Sequence, residues 1–214
     1  MESTERPILE VVEGRLVARW PSERPGAGMT VDYSAMRFAD GRGSVRGMPL
    51  VRACGRERAR DGVNLLDATA GLGYDTYLLA MAGFVVTAVE RSAEVFRLLE
   101  DAVGRADAEC RDRITLRCGD ARTIIGELRP EIVYMDPMYP LKARTSALPP
   151  KEMQMVRAMA GDDLDCAELF DVAMSVARRV VVKRPLHAKP MATPHHSIAG
   201  KLARFDVFDL EAPA

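Results

Sequence analysis

The sequence lacks long apolar runs and has few cysteines and histidines. Within its 214 residues no stretch reaches the ~18 apolar residues of a transmembrane helix, so we expect no membrane partner. Residues 1–10 are acidic and do not resemble a signal peptide. The four cysteines form no CxxC pair, which favours reduced thiols in a cytoplasmic protein. The three histidines, including the adjacent His195 and His196, show no metal-ligand pattern, so we expect no metal.

The sequence also lacks a net excess of charge of either sign. Its net charge of −1 argues, taken alone, against a nucleic-acid partner. The charges are nevertheless unevenly distributed: residues 37–60 hold seven arginines and two acids, and residues 178–204 hold seven basic residues and no acid. Such asymmetry can place positive patches around a site in a neutral protein. The pattern fits an RNA-facing surface and an ordinary solvated surface about equally well.

The length and the apolar share of 48% suit one full-sized globular domain with a small extension. Residues 1–60 are predicted to form an N-terminal β extension and a basic linker, and residues 61–214 the main domain. In the extension, apolar runs at 8–12 and 15–20 flank Glu13-Gly14, which indicates a hairpin. A third strand is expected at 30–33.

Strands alternate with helices in the main domain, which predicts an α/β fold with a mostly parallel sheet and helices on both faces. An antiparallel edge strand at 205–208 is expected to close the sheet. In such sheets the ligand lies beyond the carboxyl ends of the strands, so the residues that end each strand are the candidates for function. The predicted parallel strands are 63–67, 85–90, 114–118, 132–135 and 180–183.

The first of these strands leads into a glycine-containing loop, residues 67–75. Glycines allow a sharp turn and a close approach of the backbone to a ligand, whether a dinucleotide or S-adenosylmethionine (SAM). The dinucleotide fingerprint needs a third glycine where Thr76 stands, and this counts modestly against a nicotinamide cofactor. The residues of this loop that are predicted to bind the cofactor on these grounds are Ala70, Gly71 and Gly73.

The next two strand ends carry further candidate cofactor contacts. Glu90 ends the second strand, where an acid typically accepts hydrogen bonds from the ribose hydroxyls of an adenosine cofactor. Arg91 is predicted to lie against the adenine. Gly119 and Asp120 end the third strand, where an acid often meets the adenine amino group.

The fourth strand ends in Asp136-Pro137-Met138-Tyr139-Pro140, which resembles the [DN]-P-P-[YFW] signature of methyltransferases acting on conjugated amino or amide nitrogens. An exocyclic amine on a purine is a poor nucleophile because its lone pair is delocalised into the ring. The Asp136 carboxylate and the Pro137 carbonyl can accept hydrogen bonds from that amine and direct its lone pair at the methyl group. Tyr139 can stack on the base. We therefore predict Asp136, Pro137 and Tyr139 as catalytic.

After the fifth strand, the adjacent basic residues Lys183 and Arg184 suit contacts to phosphate, although a basic strand end on the surface would explain them as well. Lys183 and Arg184, together with Arg42 and Lys142, are the predicted RNA-binding residues.

Several blocks in order resemble the RsmJ family of bacterial small-subunit ribosomal RNA guanine-N2 methyltransferases. They are residues 66–75, Glu90-Arg91, residues 133–140, Lys151-Glu152-Met153 and residues 180–185. Met138 departs from the general signature but is the residue expected in this family. The resemblance implies a class I (Rossmann-like) SAM-dependent methyltransferase fold, in which Tyr74, Asp75 and Asp136 also contact the cofactor. It also implies SAM as cofactor and, as target, the exocyclic N2 of a guanine near the 3′ end of 16S rRNA in an assembled small subunit.

Other functions remain open on the residues alone. The chemistry of Asp136 to Tyr139 does not separate guanine N2 from adenine N6 or from the amide of a protein glutamine. A nicotinamide-dependent oxidoreductase is a less favoured alternative, because the third glycine is missing. A non-catalytic RNA-binding factor that has kept the fold is another, against which the intact Asp136 motif argues.

Overall fold

The computed structural model describes residues 5–36, 45–55, 58–138 and 150–210. The strands are β1 (Ile8–Val12), β2 (Arg15–Arg19), β3 (Asn64–Asp67), β4 (Val85–Glu90), β5 (Ile114–Cys118), β6 (Ile132–Met135), β7 (Arg179–Pro185), β8 (His196–Ala199) and β9 (Ala203–Asp209). The α-helices are α1 (Pro49–Cys54), α2 (Tyr74–Ala82), α3 (Ala93–Gly104), α4 (Ala108–Arg111), α5 (Ala121–Leu128), α6 (Lys151–Ala160) and α7 (Cys166–Val176). No helix in these ranges is both long and apolar enough to cross a bilayer.

The main sheet has seven strands in the order β5-β4-β3-β6-β7-β9-β8. Strands β3 to β7 pair in parallel, and β9 pairs antiparallel with both β7 and β8. The predicted mostly parallel sheet with an antiparallel C-terminal strand is thus confirmed. The chain leaves β3 for β4 on one side and reaches β6 on the other, so the strand order reverses between β3 and β6. A reversal of this kind opens a crevice at the carboxyl ends of the strands.

Apolar side chains cover both faces of the sheet, which is why β6 is a continuous apolar run rather than an alternating one. Every residue of β6 is buried. On one face Tyr134 packs in a core with the helices α2 and α3, and on the other Val133 packs with α5 and α7. The sheet therefore lies between two layers of helices.

The N-terminal hairpin of β1 and β2 is confirmed. Its turn has positive φ at Glu13 (50°) and Gly14 (76°), as tight hairpin turns require. The hairpin and the segment after it pack on the main core through Leu16, Ala18 and Tyr33. The Tyr33 ring stacks on that of Tyr77 with centroids 4.6 Å apart, so the extension is attached directly to α2.

The predicted third strand at 30–33 is wrong. Only a single bridge joins Met29 to Ala18. The Asp32 side chain accepts a hydrogen bond from the Ser34 amide (2.9 Å) and starts a short 3₁₀ helix, Tyr33–Ala35. Local capping by an aspartate therefore outcompetes strand pairing at this point.

The last strand does not lie at the edge of the sheet, where the sequence predicted it. The predicted antiparallel strand at 205–208 exists as part of β9, but it is not at the edge of the sheet, because β8 covers it. Most of β8 is exposed. Its sequence lacks the apolar run or alternation that would have indicated a strand.

Candidate active site

A cavity of about 340 Å³ opens at the carboxyl ends of β3, β4 and β6. Its volume lies in the range of small-molecule sites, ~300–1,000 Å³. Helix α6 and the loop that follows it form the opposite wall. The predicted site residues that line the cavity are Ala70, Gly71, Gly73, Tyr74, Asp75, Glu90, Arg91, Gly119, Asp120, Asp136 and Lys183.

The loop between β3 and α2 is held in place by backbone hydrogen bonds. The Ala70 amide donates to the Val89 carbonyl (3.0 Å), which attaches the loop to β4. Gly71 (φ 54°) and Gly73 (φ 79°) take left-handed conformations that side chains rarely adopt. At Gly71 an added Cβ would have only the Thr69 carbonyl oxygen within reach, at 4.0 Å, so the space beside it is open to a ligand.

Gly73 has no such space, and this gives a first testable prediction. An added Cβ would lie 2.3 Å from both Leu99 Cδ1 and the Tyr33 hydroxyl oxygen. Because strain and overpacking combine, Gly73→Ala is expected to lower the free energy of unfolding by about 1–3 kcal/mol. Gly126→Ala is the matched control, because an added Cβ there meets nothing within 4 Å and a helical Gly→Ala change stabilises by about 0.5–1 kcal/mol. Thermal melting of both variants checks this; equal melting temperatures would contradict it.

Glu90 is buried at the end of β4 and joins that strand to the glycine loop. Its Oε2 accepts a hydrogen bond from the Gly71 amide (3.0 Å), and its Oε1 accepts one from the Ser92 amide (2.7 Å). Burial raises the pKa of Glu90, and the two amide hydrogen bonds oppose that shift without cancelling it. Each carboxylate oxygen has a second lone pair, so Glu90 can still accept hydrogen bonds from a diol in the cavity.

Lys183 connects two predicted site carboxylates. Its Nζ lies 2.9 Å from Asp75 Oδ2 and 2.8 Å from Asp136 Oδ2. The Tyr134 hydroxyl also donates to Asp75 Oδ2 (2.6 Å). Burial raises the pKa of Asp136 and the Lys183 charge opposes this, with a net upward shift. Burial lowers the pKa of Lys183, but the two carboxylates outweigh it and raise that pKa.

A third carboxyl, Asp67, lies buried beneath this group at the end of β3. It accepts hydrogen bonds from the Thr76 hydroxyl (2.6 Å) and the Thr69 amide (3.3 Å). Burial raises the pKa of Asp67 to about 7, against the effect of those hydrogen bonds. In the sequence, Asp67 is recognisable only as the acid at the end of the predicted strand 63–67. Its burial depends on packing that no local pattern indicates.

The Arg91 guanidinium is engaged with the loop after α6. It contacts Asp163 Oδ1 (2.6 Å), Asp165 Oδ1 (2.9 Å) and the Asp162 carbonyl oxygen (3.2 Å). The other oxygen of Asp163, Oδ2, accepts a hydrogen bond from the Met138 amide (2.5 Å). No sequence motif points to Asp163. Its only signal was a run of acids before a helix, which is equally typical of a capping segment.

At the end of β5, the backbone and side chains are also fixed. The Gly119 amide donates to the Glu90 carbonyl (3.0 Å), and Asp120 caps α5 by accepting a hydrogen bond from the Arg122 amide (2.9 Å). The Arg122 side chain lies 2.6 Å from Asp120 Oδ2 and holds the pKa of Asp120 low. Across the cavity the Tyr74 hydroxyl donates to Glu152 of α6 (3.0 Å).

Some predicted residues lie away from the cavity wall. Pro137 is buried and does not line the cavity, and Arg184 is half-buried with its guanidinium on the Lys189 carbonyl. Tyr139, Arg42 and Lys142 lie outside the described residues. Among the described residues, no group of three His, Cys, Asp or Glu side chains is placed to hold a metal ion.

Comparisons with known proteins agree with this geometry. A family model described as "Putative SAM-dependent methyltransferase" matches residues 1–210. A solved SAM-dependent methyltransferase from Neisseria gonorrhoeae superposes with a TM-score of 0.71 at 27% identity, covering 100% of this chain and 87% of its own. Fold and site together define a Rossmann-like, SAM-dependent methyltransferase whose cofactor is SAM.

Three curated relatives bear the name ribosomal RNA small subunit methyltransferase J. The protein from Chromohalobacter salexigens is 41% identical over 86% of this chain and 77% of its own. The protein from Agrobacterium fabrum is 44% identical over 80% of this chain and 86% of its own. The protein from Thioalkalivibrio sulfidiphilus is 40% identical over 97% of this chain and 86% of its own. The chain belongs to the ribosomal RNA small subunit methyltransferase J family.

Proposed function

We propose that this chain methylates the exocyclic N2 of a guanine near the 3′ end of 16S rRNA, using SAM. The observation that carries the proposal is the Asp136 carboxylate, which lies at the cavity and is held in place by Lys183. The relatives named above act, by their names, on the RNA of the small ribosomal subunit. Such a substrate implies a cytoplasmic enzyme.

The residues around the cavity suit SAM, which supplies an electrophilic methyl group on a sulfonium sulfur. Glu90, beside the open space at Gly71, would accept hydrogen bonds from the ribose hydroxyls. Asp120, which lines the cavity at the adjoining strand end, would meet the adenine amino group. The glycine loop with Tyr74 and Asp75, which also lines the cavity, would contact the cofactor.

Asp136 would hold the amine that receives the methyl group. Its contact with Lys183 uses Oδ2, so Oδ1 can accept an N–H of the guanine amino group. An ionised carboxylate is the stronger acceptor, and Lys183 favours that form against the effect of burial. Acceptance of the second N–H by the Pro137 carbonyl and stacking of the base on Tyr139 both stay predictions.

Lys183 acts, in this proposal, on the carboxylates rather than on RNA. Its ammonium is shared between Asp75 and Asp136, which leaves its predicted phosphate contact without structural support. Contacts of Arg184, Arg42 and Lys142 with RNA remain predictions. So does the division into an extension at 1–60 and a methyltransferase domain at 61–214.

The function is tested by methyl transfer from labelled SAM to small ribosomal subunits that come from cells lacking the family's enzyme. We expect label in the 16S rRNA of assembled subunits, and less in protein-free 16S rRNA. Absence of label from both substrates would contradict the proposal. Label in adenine or in a protein glutamine would favour the alternative amine or amide targets, which the same carboxylate could hold.

A further inference from the structure

The loop after α6, residues 161–165, is attached to the segment that carries Asp136 at two points. The Met138 amide donates to Asp163 Oδ2 (2.5 Å), and the Asp163 amide donates to the Met138 carbonyl (3.2 Å). This reciprocal pair holds the backbone of Met138, two residues after Asp136, at both its amide and its carbonyl. The geometry of the Asp136 segment therefore depends on where Asp163 stands.

Asp163 is itself fixed from the cofactor side of the cavity. Its Oδ1 contacts the Arg91 guanidinium (2.6 Å). Arg91 directly follows Glu90, the last residue of β4. The Asp163 side chain is 21% exposed and that of Arg91 is 38% exposed, so the contact is only partly shielded from water. One carboxylate thus joins the end of β4 to the segment after β6, with one oxygen for each.

We propose that Asp163 is a positioning residue that sets the geometry of Asp136 for methyl transfer, by anchoring the Met138 amide to Arg91. The proposal rests on the proposed role of Asp136 in holding the amine. A simpler structural role as a helix cap does not explain the contacts, because both carboxylate oxygens point away from α7: one to Arg91 and one to Met138.

Charge supports this interpretation. Asp163 adds negative charge near Glu90 and Asp136 and contributes to the raised pKa of each. The negative charge of Asp163 destabilises the ionised forms of Glu90 and Asp136. We therefore expect Asp163 to have a role that compensates for this cost. The Arg91 guanidinium offsets part of the repulsion between Asp163 and these carboxylates. The compensating role that we propose is the hydrogen bond from the Met138 amide.

The test compares Asp163→Asn with Asp165→Asn. Both changes remove one carboxylate partner of Arg91, but only Asp163 contacts the Met138 segment. We expect both variants to weaken binding of S-adenosylhomocysteine by a similar small factor. Only Asp163→Asn should lower kcat, by about 10- to 100-fold, because the amine acceptor is misplaced. Asp163→Glu keeps both oxygens and should recover part of that loss.

Amide hydrogen exchange on the full chain gives a readout that needs no RNA. The peptide containing Met138 should exchange faster in Asp163→Asn than in the wild type or Asp165→Asn, with melting temperatures recorded to confirm folding. Equal kcat in the two variants, or unchanged exchange at Met138, would overturn the proposal. Absence of wild-type turnover on small subunits would instead contradict the proposed function, and the exchange result would still decide the role of Asp163.

Discussion

Replacement of Asp136 by asparagine is expected to lower kcat for methyl transfer about 100- to 1,000-fold, the loss typical when one preorganised hydrogen-bonding group is removed from a reaction centre. Asparagine keeps the shape of the side chain but has one acceptor oxygen in place of two and no charge. If the oxygen faces Lys183, the amide NH₂ faces the substrate amine and repels it.

The measurement is single-turnover methyl transfer to small subunits, with calorimetric titration of S-adenosylhomocysteine beside it. We expect the affinity for the cofactor product to change far less than kcat, because Glu90 and the glycine loop remain intact. Asp171→Asn, at an exposed position in α7, is the matched control and should leave both quantities near wild type. Full activity in Asp136→Asn would remove Asp136 from the chemistry.

Replacement of Lys183 by methionine should affect both stability and the pH profile. The ammonium contacts both Asp75 and Asp136, and its loss removes the positive charge that the two carboxylates share. Removal of one partner from a fully buried ion pair costs about 3–5 kcal/mol, and solvent reduces that figure here. With 28% of the Lys183 side chain and 39% of that of Asp136 exposed, we expect a loss of about 1–3 kcal/mol in the free energy of unfolding.

The loss of stability should depend on pH in a defined direction. The pKa of Asp136 is already raised by burial, and without Lys183 it rises further. A carboxyl whose pKa is higher in the folded than in the unfolded state favours folding below that pKa and loses this contribution as the pH rises through it. The difference in stability between Lys183→Met and the wild type should therefore be larger at about pH 8 than at about pH 5.

Activity should follow the same titration. Asp136 must be ionised to accept hydrogen bonds strongly, so kcat/KM falls as the pH is lowered through its pKa. In Lys183→Met this acid limb should move to higher pH. Lys183→Arg keeps the charge and should retain most of the wild-type profile, and Lys201→Met, exposed before β9, controls for loss of charge alone. An unchanged acid limb in Lys183→Met would contradict the role given to Lys183.

The sequence predicted the parallel strands well because each is a short apolar run with a distinct end. It placed Glu90, Gly119 and Asp136 correctly at one edge of the sheet, since parallel strands bring their carboxyl ends together. It did not predict β8, whose residues are mostly exposed and depend on β9 for their hydrogen bonds. Pairing of this kind is decided by tertiary context rather than by local preference.

The site shows the same division between local pattern and long-range contact. Arg91 was predicted to lie against adenine, and its contacts to Asp163 and Asp165 connect positions more than seventy residues apart. The pairing of Lys183 with Asp75 and Asp136 likewise joins β7 to α2 and to the end of β6. A motif identifies the type of each side chain, but which charges neutralise one another is fixed only when the strands align.

Nucleoside mass spectrometry of 16S rRNA tests the central claim most directly. Small subunits that lack the modification are incubated with SAM and the wild-type chain, and fragments from the 3′ end of the RNA are analysed. We predict one N2-methylguanosine that is absent without enzyme and strongly reduced with Asp136→Asn. A methyl group on adenine N6 or on a protein would contradict guanine-N2 methylation by this site. So would the absence of any methylated product.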